Sequence, residues 1–157
     1  MPTRNPTRAT LEKLRDKPFG LWLFSRAVSL KAPYFGSIGA RFTTLEPGFG
    51  EAHLRKRRKV TNHLGTVHAI AMANLCELVA GTLMEVSIPA DMRWIPKGMN
   101  IRYLGKAETD VTASCRIDDY DWRETQDVPL ELVVKDTNGQ VVAEATVPMY
   151  VSPKKKR

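Results

Sequence analysis

Hydrophobic positions recur with a helical period near the start of this chain of 157 residues. Within residues 19–31, apolar side chains follow one another at intervals of three or four. The stripe consists of Phe19, Leu23, Ala27 and Leu30. This spacing predicts an amphipathic helix whose apolar stripe covers part of a core. Before it, Thr10 is expected to cap a short helix that ends near Pro18, after loose residues 1–9.

An alternation of apolar and polar residues predicts strands in much of the rest of the chain. Residues 38–44 and 51–57 alternate on either side of the turn-like sequence EPGFG, which predicts a hairpin. Four further stretches have the pattern of strands, with no helix between them. They are residues 92–107, 108–122, 127–136 and 140–151. Asn138-Gly139, between the last two, is a strong hairpin signal.

The most apolar segment lies between these groups of strands and has the period of a helix. Residues 67–85 predict a helix of roughly 27 Å, with Asn62 or Thr66 as its N-cap. A helix that is apolar around most of its circumference is buried, so the strands are expected to wrap around it. Its polar or small positions form one stripe, which either faces solvent or carries a function. These positions are Asn74, Glu77, Gly81, Thr82 and Glu85.

The order of the elements predicts the fold class and the division of the chain. We expect an α+β protein in which a curved antiparallel sheet wraps around one long central helix. Residues 1–35 are expected to form a helical extension, residues 36–151 the main domain, and residues 152–157 a basic tail.

Two basic runs account for the formal net charge of +7. They are RKRRK at residues 55–59 and KKKR at residues 154–157, and the rest of the chain is slightly acidic. Because no basic face with groove-reading elements is indicated, we expect no nucleic acid partner. We interpret the second run as a solubilising end.

The apolar runs and the cysteines bear on the compartment. In the sequence pattern no apolar run approaches the ~20 residues that span a bilayer, and we expect no secretory signal, because no small-residue cleavage site follows an apolar stretch. We therefore expect a cytoplasmic protein without a membrane partner. Cys76 and Cys115 lie within apolar patterns, which favours two buried free thiols in a reducing compartment. The spacing of His and Cys residues indicates no metal site.

A motif at the mouth of the long helix resembles that of the hotdog-fold thioesterases of the phenylacetate-pathway type. Their pattern has Asn, Gly and His followed by two glycines, and then an acid on the helix. Here these positions are Asn62, Gly65, His68, Ala69, Ile70 and Glu77. The sequence VHA in place of HGG indicates a less characterised hotdog subfamily. The resemblance covers residues 36–151 and implies a hotdog fold, assembly as a homodimer or dimer of dimers, and hydrolysis of acyl-CoA thioesters. No cofactor is implied beyond the coenzyme A of the substrate.

Thioester hydrolysis needs a donor that polarises the carbonyl and a base or nucleophile that delivers water. The Ala69 N–H, next to Gly65 and the motif loop, is placed in the first helical turn for the first role. Glu77 is the candidate for the second role, and Asn62 and His68 are candidates for holding the thioester or the water. Purely structural interpretations remain open, with His68 and Asn62 as caps and Gly65 as a turn residue.

Helix geometry prevents His68 and Glu77 of one chain from sharing a site. Nine residues turn an α-helix through about 900°, so the two side chains point to opposite sides and lie ~13 Å apart along the axis. If both act, the site combines two subunits. The resemblance implies the same arrangement, in which the acid of one chain faces the helix N-terminus of the other.

Ala69 and Ile70 stand where the motif has two glycines, and this difference leaves an alternative function open. A backbone N–H survives the change from Gly to Ala, but Ile70 narrows the space that a second glycine leaves. The alternative is therefore a non-catalytic acyl-CoA or fatty-acyl binding protein on the same scaffold, and a hotdog dehydratase is a further hypothesis. The first basic run is expected to grip the phosphates of coenzyme A, or else to form a solvated strand edge. The residues concerned are Arg55, Arg57, Arg58 and Lys59.

Overall fold

One long helix and one antiparallel sheet dominate the structure, a computed structural model that describes residues 5–118 and 120–155. The helices are α1 (Pro6–Leu14), α2 (Gly20–Lys31), α3 (Pro33–Gly36) and α4 (Ala69–Ser87). The strands are β1 (Arg41–Glu46), β2 (Phe49–Leu54), β3 (Met92–Pro96), β4 (Asn100–Tyr103), β5 (Val111–Arg116), β6 (Gln126–Asp136) and β7 (Val141–Pro153). The sheet order is β1-β2-β5-β6-β7-β3, and β4 also pairs with β7.

The core lies between α4 and the concave face of the sheet. Most side chains of α4 are buried, and this helix contacts β1, β2, β3, β5, β6 and β7. The inward-facing residues of β5, β6 and β7 alternate with outward-facing ones, as the pleat of a half-buried strand requires. The predicted α+β hotdog fold, with a curved sheet around a central helix, is confirmed.

Both predicted hairpins are present. The Asp136 Oδ1 accepts hydrogen bonds of 2.9 Å from the N–H groups of Asn138 and Gln140, which closes the turn between β6 and β7. Gly139 completes this turn with a φ of +80°, a conformation that favours glycine. The predicted turn EPGFG joins β1 to β2, which pair antiparallel.

Several predicted strands have different bounds, including β1 and β2 of the first hairpin. Residues 92–107 form two short strands, because Pro96 supplies no ladder donor and the exposed Gly98 follows it. Among the described residues of 108–122, β5 is the only strand. The last strand runs to Pro153 rather than to residue 151, and the backbone N–H of Lys154 bonds to the carbonyl of Asp91.

The first helix begins earlier than predicted. Asn5 is its N-cap, because its side chain accepts a hydrogen bond of 2.8 Å from the N–H of Thr7. Thr10 lies inside the helix and bonds to the carbonyl of Pro6, so its predicted capping role is wrong. The prediction of a loose segment is also wrong for residues 5–9, while residues 1–4 lie outside the described residues.

The predicted helix of residues 19–31 is present as α2, but the opposite face packs inwards. Phe24 and Ser25 are buried, and the ring of Phe24 packs edge-on against Phe42 of β1. Phe19 and Leu30 of the predicted core stripe are 80% and 76% exposed. The helix carries apolar residues on two faces, and the periodicity alone does not say which face meets the sheet.

Candidate active site

The long helix α4 begins with an unpaired backbone donor. His68 is the N-cap, and its Nδ1 accepts a hydrogen bond of 3.0 Å from the N–H of Ile70. The N–H groups of Ala71 and Met72 bond to the carbonyl of His68. Within the described part of the chain, the N–H of Ala69 has no partner. This donor lies at the positive end of the helix dipole, where a developing negative charge is stabilised.

The loop before α4 is held together by hydrogen bonds between its own residues. The Asn62 Oδ1 accepts hydrogen bonds from the N–H groups of Leu64 and Thr66 at 3.0 and 3.2 Å, and its Nδ2 donates to the Thr66 Oγ1 at 2.9 Å. Gly65 provides the positive φ of +74° in this turn. The prediction that Asn62 or Thr66 caps the helix is wrong, because their side chains bond within the loop. Asn62 and Gly65 thus position His68.

A strand residue holds the first turn of α4. The hydroxyl of Tyr103 donates a hydrogen bond of 3.1 Å to the carbonyl of Ala69. Burial and, less strongly, the nearby Cys76 raise the pKa of Tyr103, so the phenol stays protonated at neutral pH. The sequence analysis missed Tyr103, since nothing in its pattern separates it from other strand aromatics.

Glu77 is exposed on a helix that is otherwise mostly buried. Together with Ile70 and Ala73 it forms a stripe on the face of α4 that neither the sheet nor the helical extension covers. Glu77 lines a cleft of about 300 Å³ against the segment between β3 and β4, which includes Lys97 and Met99. Its carboxylate is therefore accessible from outside the single chain.

The structure does not bring His68 and Glu77 together within one chain. His68 lines a cavity of about 270 Å³ on the side of α3, whereas Glu77 lines the cleft beside the link between β3 and β4. This separation agrees with the half-turn between them along the helix.

Most of the predicted polar stripe of α4 lies under the helical extension. Asn74, Gly81 and Thr82 are buried, so the interpretation of these positions as a solvent face is wrong. Glu85 bonds to the extension and to β3 through its carboxylate oxygens. Oε1 accepts from the Asn5 Nδ2 at 3.0 Å, and Oε2 accepts from the Trp94 Nε1 at 2.7 Å. Glu85 therefore joins α1, α4 and β3.

Asn74 carries an unpaired oxygen atom. Its side chain is 7% exposed, and its Nδ2 lies 3.4 Å from the Tyr34 carbonyl oxygen and from the Ser37 Oγ. Because a carbonyl only accepts hydrogen bonds, Tyr34 fixes the orientation of the amide. No described residue bonds to the Asn74 Oδ1, a state that costs about 1–3 kcal/mol. Asn74 lines the same cavity as His68, so this buried, unpaired acceptor belongs to a residue of the cavity wall.

The first basic run divides into two groups. Arg57 and Lys59 line a cavity of about 260 Å³, and Arg55 and Arg58 do not. The other cations of this cavity are Arg26 of α2 and Arg41 of β1. The sequence analysis missed Arg26 and Arg41, because only the packing of α2 on β1 brings them to the basic run.

The two cysteines are buried and free, as predicted. Burial, followed by the interaction with Cys115, raises the pKa of Cys76 to about 12. Burial, followed by Glu131, raises the pKa of Cys115 to about 12. Both thiols therefore remain protonated and poorly nucleophilic at neutral pH. Among residues 5–118 and 120–155, no group of three or more His, Cys, Asp or Glu side chains is arranged to hold a metal ion.

The expectation that no apolar run approaches the length of a membrane span is wrong for α4, which is long and apolar enough to cross a membrane by length and composition alone. However, 72% of its most apolar window is buried inside the structure, which is the environment of a core helix.

Comparisons with known proteins find relatives over nearly the whole chain. The family model described as a domain of unknown function, DUF4442, matches residues 20–151. A genomics target of known crystal structure is 40% identical, and the match covers 94% of this chain and 99% of that one, with a TM-score of 0.82.

Two further crystal structures carry the name thioesterase. A probable thioesterase from Pseudomonas aeruginosa is 26% identical, with 85% of this chain and 95% of that chain covered and a TM-score of 0.77. A thioesterase from Haemophilus influenzae is 13% identical, with 90% and 96% covered and a TM-score of 0.75, a likeness that shows the fold alone. No curated protein matches the sequence significantly. The predicted resemblance to hotdog-fold thioesterases is confirmed.

Proposed function

This chain belongs to the DUF4442 family and to the hotdog-fold thioesterase superfamily, and on that premise we propose that it hydrolyses acyl-CoA thioesters at a site shared by two copies. The observation that carries the proposal is the free N–H of Ala69 at the start of a buried helix whose exposed stripe bears a single acid, Glu77. The first group supplies a donor for an oxyanion, and the second supplies a base.

The reaction divides between the two copies. The thioester carbonyl oxygen accepts a hydrogen bond from the Ala69 N–H of one copy, which stabilises the negative charge that develops there. The Glu77 carboxylate of the second copy takes a proton from water, and the resulting hydroxide attacks the carbonyl carbon. When the tetrahedral intermediate collapses, the C–S bond breaks and the sulfur leaves as a thiolate. Direct attack by Glu77 to form an anhydride, which water then cleaves, is the second route open to this carboxylate.

His68 is placed to assist the leaving group. Because its Nδ1 accepts a hydrogen bond from the Ile70 N–H, the proton of the neutral imidazole resides on Nε2. His68 is exposed, so this Nε2–H is a donor that a substrate can reach, and we assign it to the thioester sulfur or the departing thiolate. Asn62 and Gly65 contribute by fixing the loop that presents His68.

The surface for the second copy lies along the exposed stripe of α4 and the neighbouring sheet edge. Ile70 is 58% exposed on the helix, and Ile95 is 59% exposed on the edge strand β3. Tyr103 and Leu104, at the end of β4, are also exposed large hydrophobic residues. Pairing of two copies at this edge buries these side chains and brings Glu77 of one copy towards the helix N-terminus of the other.

A dimer of dimers needs a second apolar surface, and the outward face of α2 supplies one. Phe19, Leu23 and Leu30 are exposed there in the single chain. This face of α2 points away from the core. We therefore assign the edge of β3 and β4 to the dimer and the face of α2 to the association of two dimers.

A cytoplasmic location fits the same proposal. Two buried free thiols suit a reducing compartment, and coenzyme A thioesters require no further cofactor for hydrolysis.

A non-catalytic acyl-CoA binding protein is the second candidate function, and Ile70 favours it. The exposed side chain of Ile70 stands in the first turn of α4, where the thioesterases that this motif resembles have a glycine. A side chain at this position narrows the space above the Ala69 N–H and restricts the acyl groups that reach it.

The test is release of free thiol from short, long and aromatic acyl-CoA substrates by the wild type and by Glu77→Gln. We expect turnover by the wild type and a loss of two or more orders of magnitude, about 3 kcal/mol or more of transition-state stabilisation, in the variant. Glu46→Gln, which removes an exposed acid from β1, is the matched control and is expected to keep wild-type turnover. Binding of acyl-CoA without turnover supports the second candidate. Turnover that survives Glu77→Gln excludes Glu77 as the base.

A further inference from the structure

Two cavities lie side by side under the helical extension. The first, which we call the Asn74 cavity, is lined by His68 and Asn74 of α4 and by Tyr34 and Ser37 of the extension. The second, which we call the cationic cavity, lies between α2, the start of β1 and the basic run. Lys59 lines both, so the two cavities are neighbours on the same face of the molecule.

The cationic cavity is built to hold an anion. Its cations come from three separate segments of the chain, and no acidic residue lines it in the described part of the chain. They are Arg26, Arg41, Arg57 and Lys59. None of these side chains forms an ion pair with a described residue. Guanidinium and ammonium groups that line one cavity without a carboxylate match the charge and the donors that phosphate oxygens require.

Arg57 is fixed in this cavity by its neighbours. Its guanidinium donates a hydrogen bond of 2.9 Å to the carbonyl of Ile38 and lies over Gly39. The φ of Gly39 is +64°, a conformation that favours glycine, and the missing side chain leaves room for the Arg57 guanidinium. The bond to Ile38 thus holds this guanidinium against the backbone of the turn.

The Asn74 cavity offers a complementary feature, a buried acceptor without a donor. The Asn74 Oδ1 is unpaired among the described residues and lines the cavity that His68 also lines. Asn74 follows Ala69 by five residues, which is ~7.5 Å along the helix axis. A ligand that passes from the Ala69 N–H to the cationic cavity thus meets a hydrogen-bond acceptor on the way.

We infer that the coenzyme A portion of the substrate lies along this face, with its phosphates in the cationic cavity and an amide N–H of its pantetheine arm on the Asn74 Oδ1. The inference rests on the proposed function, since it assumes a thioester at the Ala69 N–H. The pantetheine arm carries two secondary amides, which supply the donor that Asn74 lacks. The helical extension then takes part in recognising the thiol carrier through Arg26, together with Arg41 of β1.

Binding of the phosphorylated ADP moiety of coenzyme A, used as a free nucleotide, tests the cationic cavity without any turnover. Calorimetry on the full chain compares the wild type with the double variant Arg26→Gln and Arg41→Gln. We expect the dissociation constant to rise by roughly tenfold or more in this variant. A control that removes the same charge from two exposed positions outside the cavity, Lys13→Gln and Lys135→Gln, is expected to change it by less than about twofold. Equal weakening by both double variants, or no binding by the wild type, overturns the inference.

A comparison of KM between two substrates tests where the pantetheine arm lies. For the Arg26 and Arg41 variant, we expect KM to rise for the acyl-CoA and to stay unchanged for the same acyl group on pantetheine, which lacks the nucleotide. For Asn74→Leu, which keeps the volume and removes the acceptor, KM is expected to rise about tenfold for both substrates while Tm does not fall. An unchanged KM in Asn74→Leu overturns the placement of the arm.

The two proposals fail in different ways. If the wild type hydrolyses no thioester, the proposed function fails, and nucleotide binding still tests the cationic cavity. If turnover is present but the nucleotide binds elsewhere, the inference fails and the proposed function stands.

Discussion

The imidazole Nδ1 of His68 accepts a hydrogen bond of 3.0 Å from the backbone N–H of Ile70, two residues further along the chain. This bond satisfies one of the unpaired donors at the start of α4 and skips the donor between them, the N–H of Ala69. His68 is thus the N-cap of α4. Because its Nδ1 bonds to the N–H of Ile70, the N–H of Ala69 stays free as the donor of the candidate site.

Ala69→Pro removes this donor while keeping the helix. Proline is favoured at the first helical position, and His68, with φ −64° and ψ 138°, has the conformation that precedes proline. We expect kcat for acyl-CoA hydrolysis to fall roughly a hundredfold to a thousandfold, with Tm close to that of the wild type. Circular dichroism and thermal unfolding provide the control. Wild-type kcat in a folded Ala69→Pro protein would falsify the oxyanion role of Ala69.

Glu85→Ala is expected to destabilise the fold without a direct effect on chemistry. The Glu85 carboxylate accepts hydrogen bonds from Asn5 and Trp94, and its loss leaves the buried Asn5 amide without this partner. Bonds to charged groups of this kind contribute about 1.5–3 kcal/mol each, so for two bonds we expect a loss of about 3–6 kcal/mol in the free energy of unfolding. Urea unfolding measures it, with Glu46→Gln as the control. A change below about 0.5 kcal/mol would contradict the anchoring role of Glu85.

The buried thiols make stability fall at alkaline pH. Burial raises the pKa of Cys76 and of Cys115 from 9.0 to about 12, so the folded chain keeps two protons that the unfolded chain releases above about pH 9. Stability from this source is complete below pH 9 and falls as the pH rises towards 12, by about 1.4 kcal/mol per pH unit for each thiol. Urea unfolding between pH 8 and pH 11 measures the slope.

A double variant with alanine at both cysteines is the control for the titration of other groups. Its stability should fall less steeply over the same range. Thiol-specific labelling of the native wild type at neutral pH should also be slow and become complete on unfolding. Equal slopes in the two proteins, or rapid labelling of the native state, would show that the thiols are not buried in this way.

The two assigned self-association surfaces have separate consequences. Ile95→Lys places a charge on the exposed edge strand β3, and we expect a monomer that has lost turnover because each site needs two copies. Leu30→Lys places the same charge on the outward face of α2, and we expect active dimers that no longer form tetramers. Light scattering and thiol release measure both properties. Full activity in a monomeric Ile95→Lys protein would contradict a shared site.

The architecture and the motif were largely predictable, because the signals that specify them are local. The long apolar run of α4, the alternation in the strands and the Asn138-Gly139 turn each depend on a few neighbouring residues. Their combination predicted a curved antiparallel sheet around one long helix, and the resemblance of the motif implied the hotdog fold, with Ala69 and Glu77 as candidate site residues. The N-cap was left open among Asn62, Thr66 and His68, since histidine is not among the preferred caps and its role depends on the side-chain conformation.

Features that depend on packing between distant segments were not predictable. The prediction of which face of α2 packs inwards was wrong. The helix has two apolar faces, and only the contact with Phe42 of β1 selects one. Asn74 was assigned to a possible solvent face, although Tyr34 and Ser37 of the extension cover it. Arg26 reaches the basic run only through the same packing.

The most direct test of the central claim is complementation between two inactive subunits. A hybrid dimer is purified after co-expression of a Glu77→Gln chain and an Ala69→Pro chain that carry different affinity tags. In a shared site, one of its two sites receives an intact Ala69 from the first chain and an intact Glu77 from the second. We therefore predict about half of the wild-type turnover per hybrid dimer, against nearly none for either parent. If the hybrid is as inactive as its parents, the two groups do not act together across the dimer, and the account of the site is wrong.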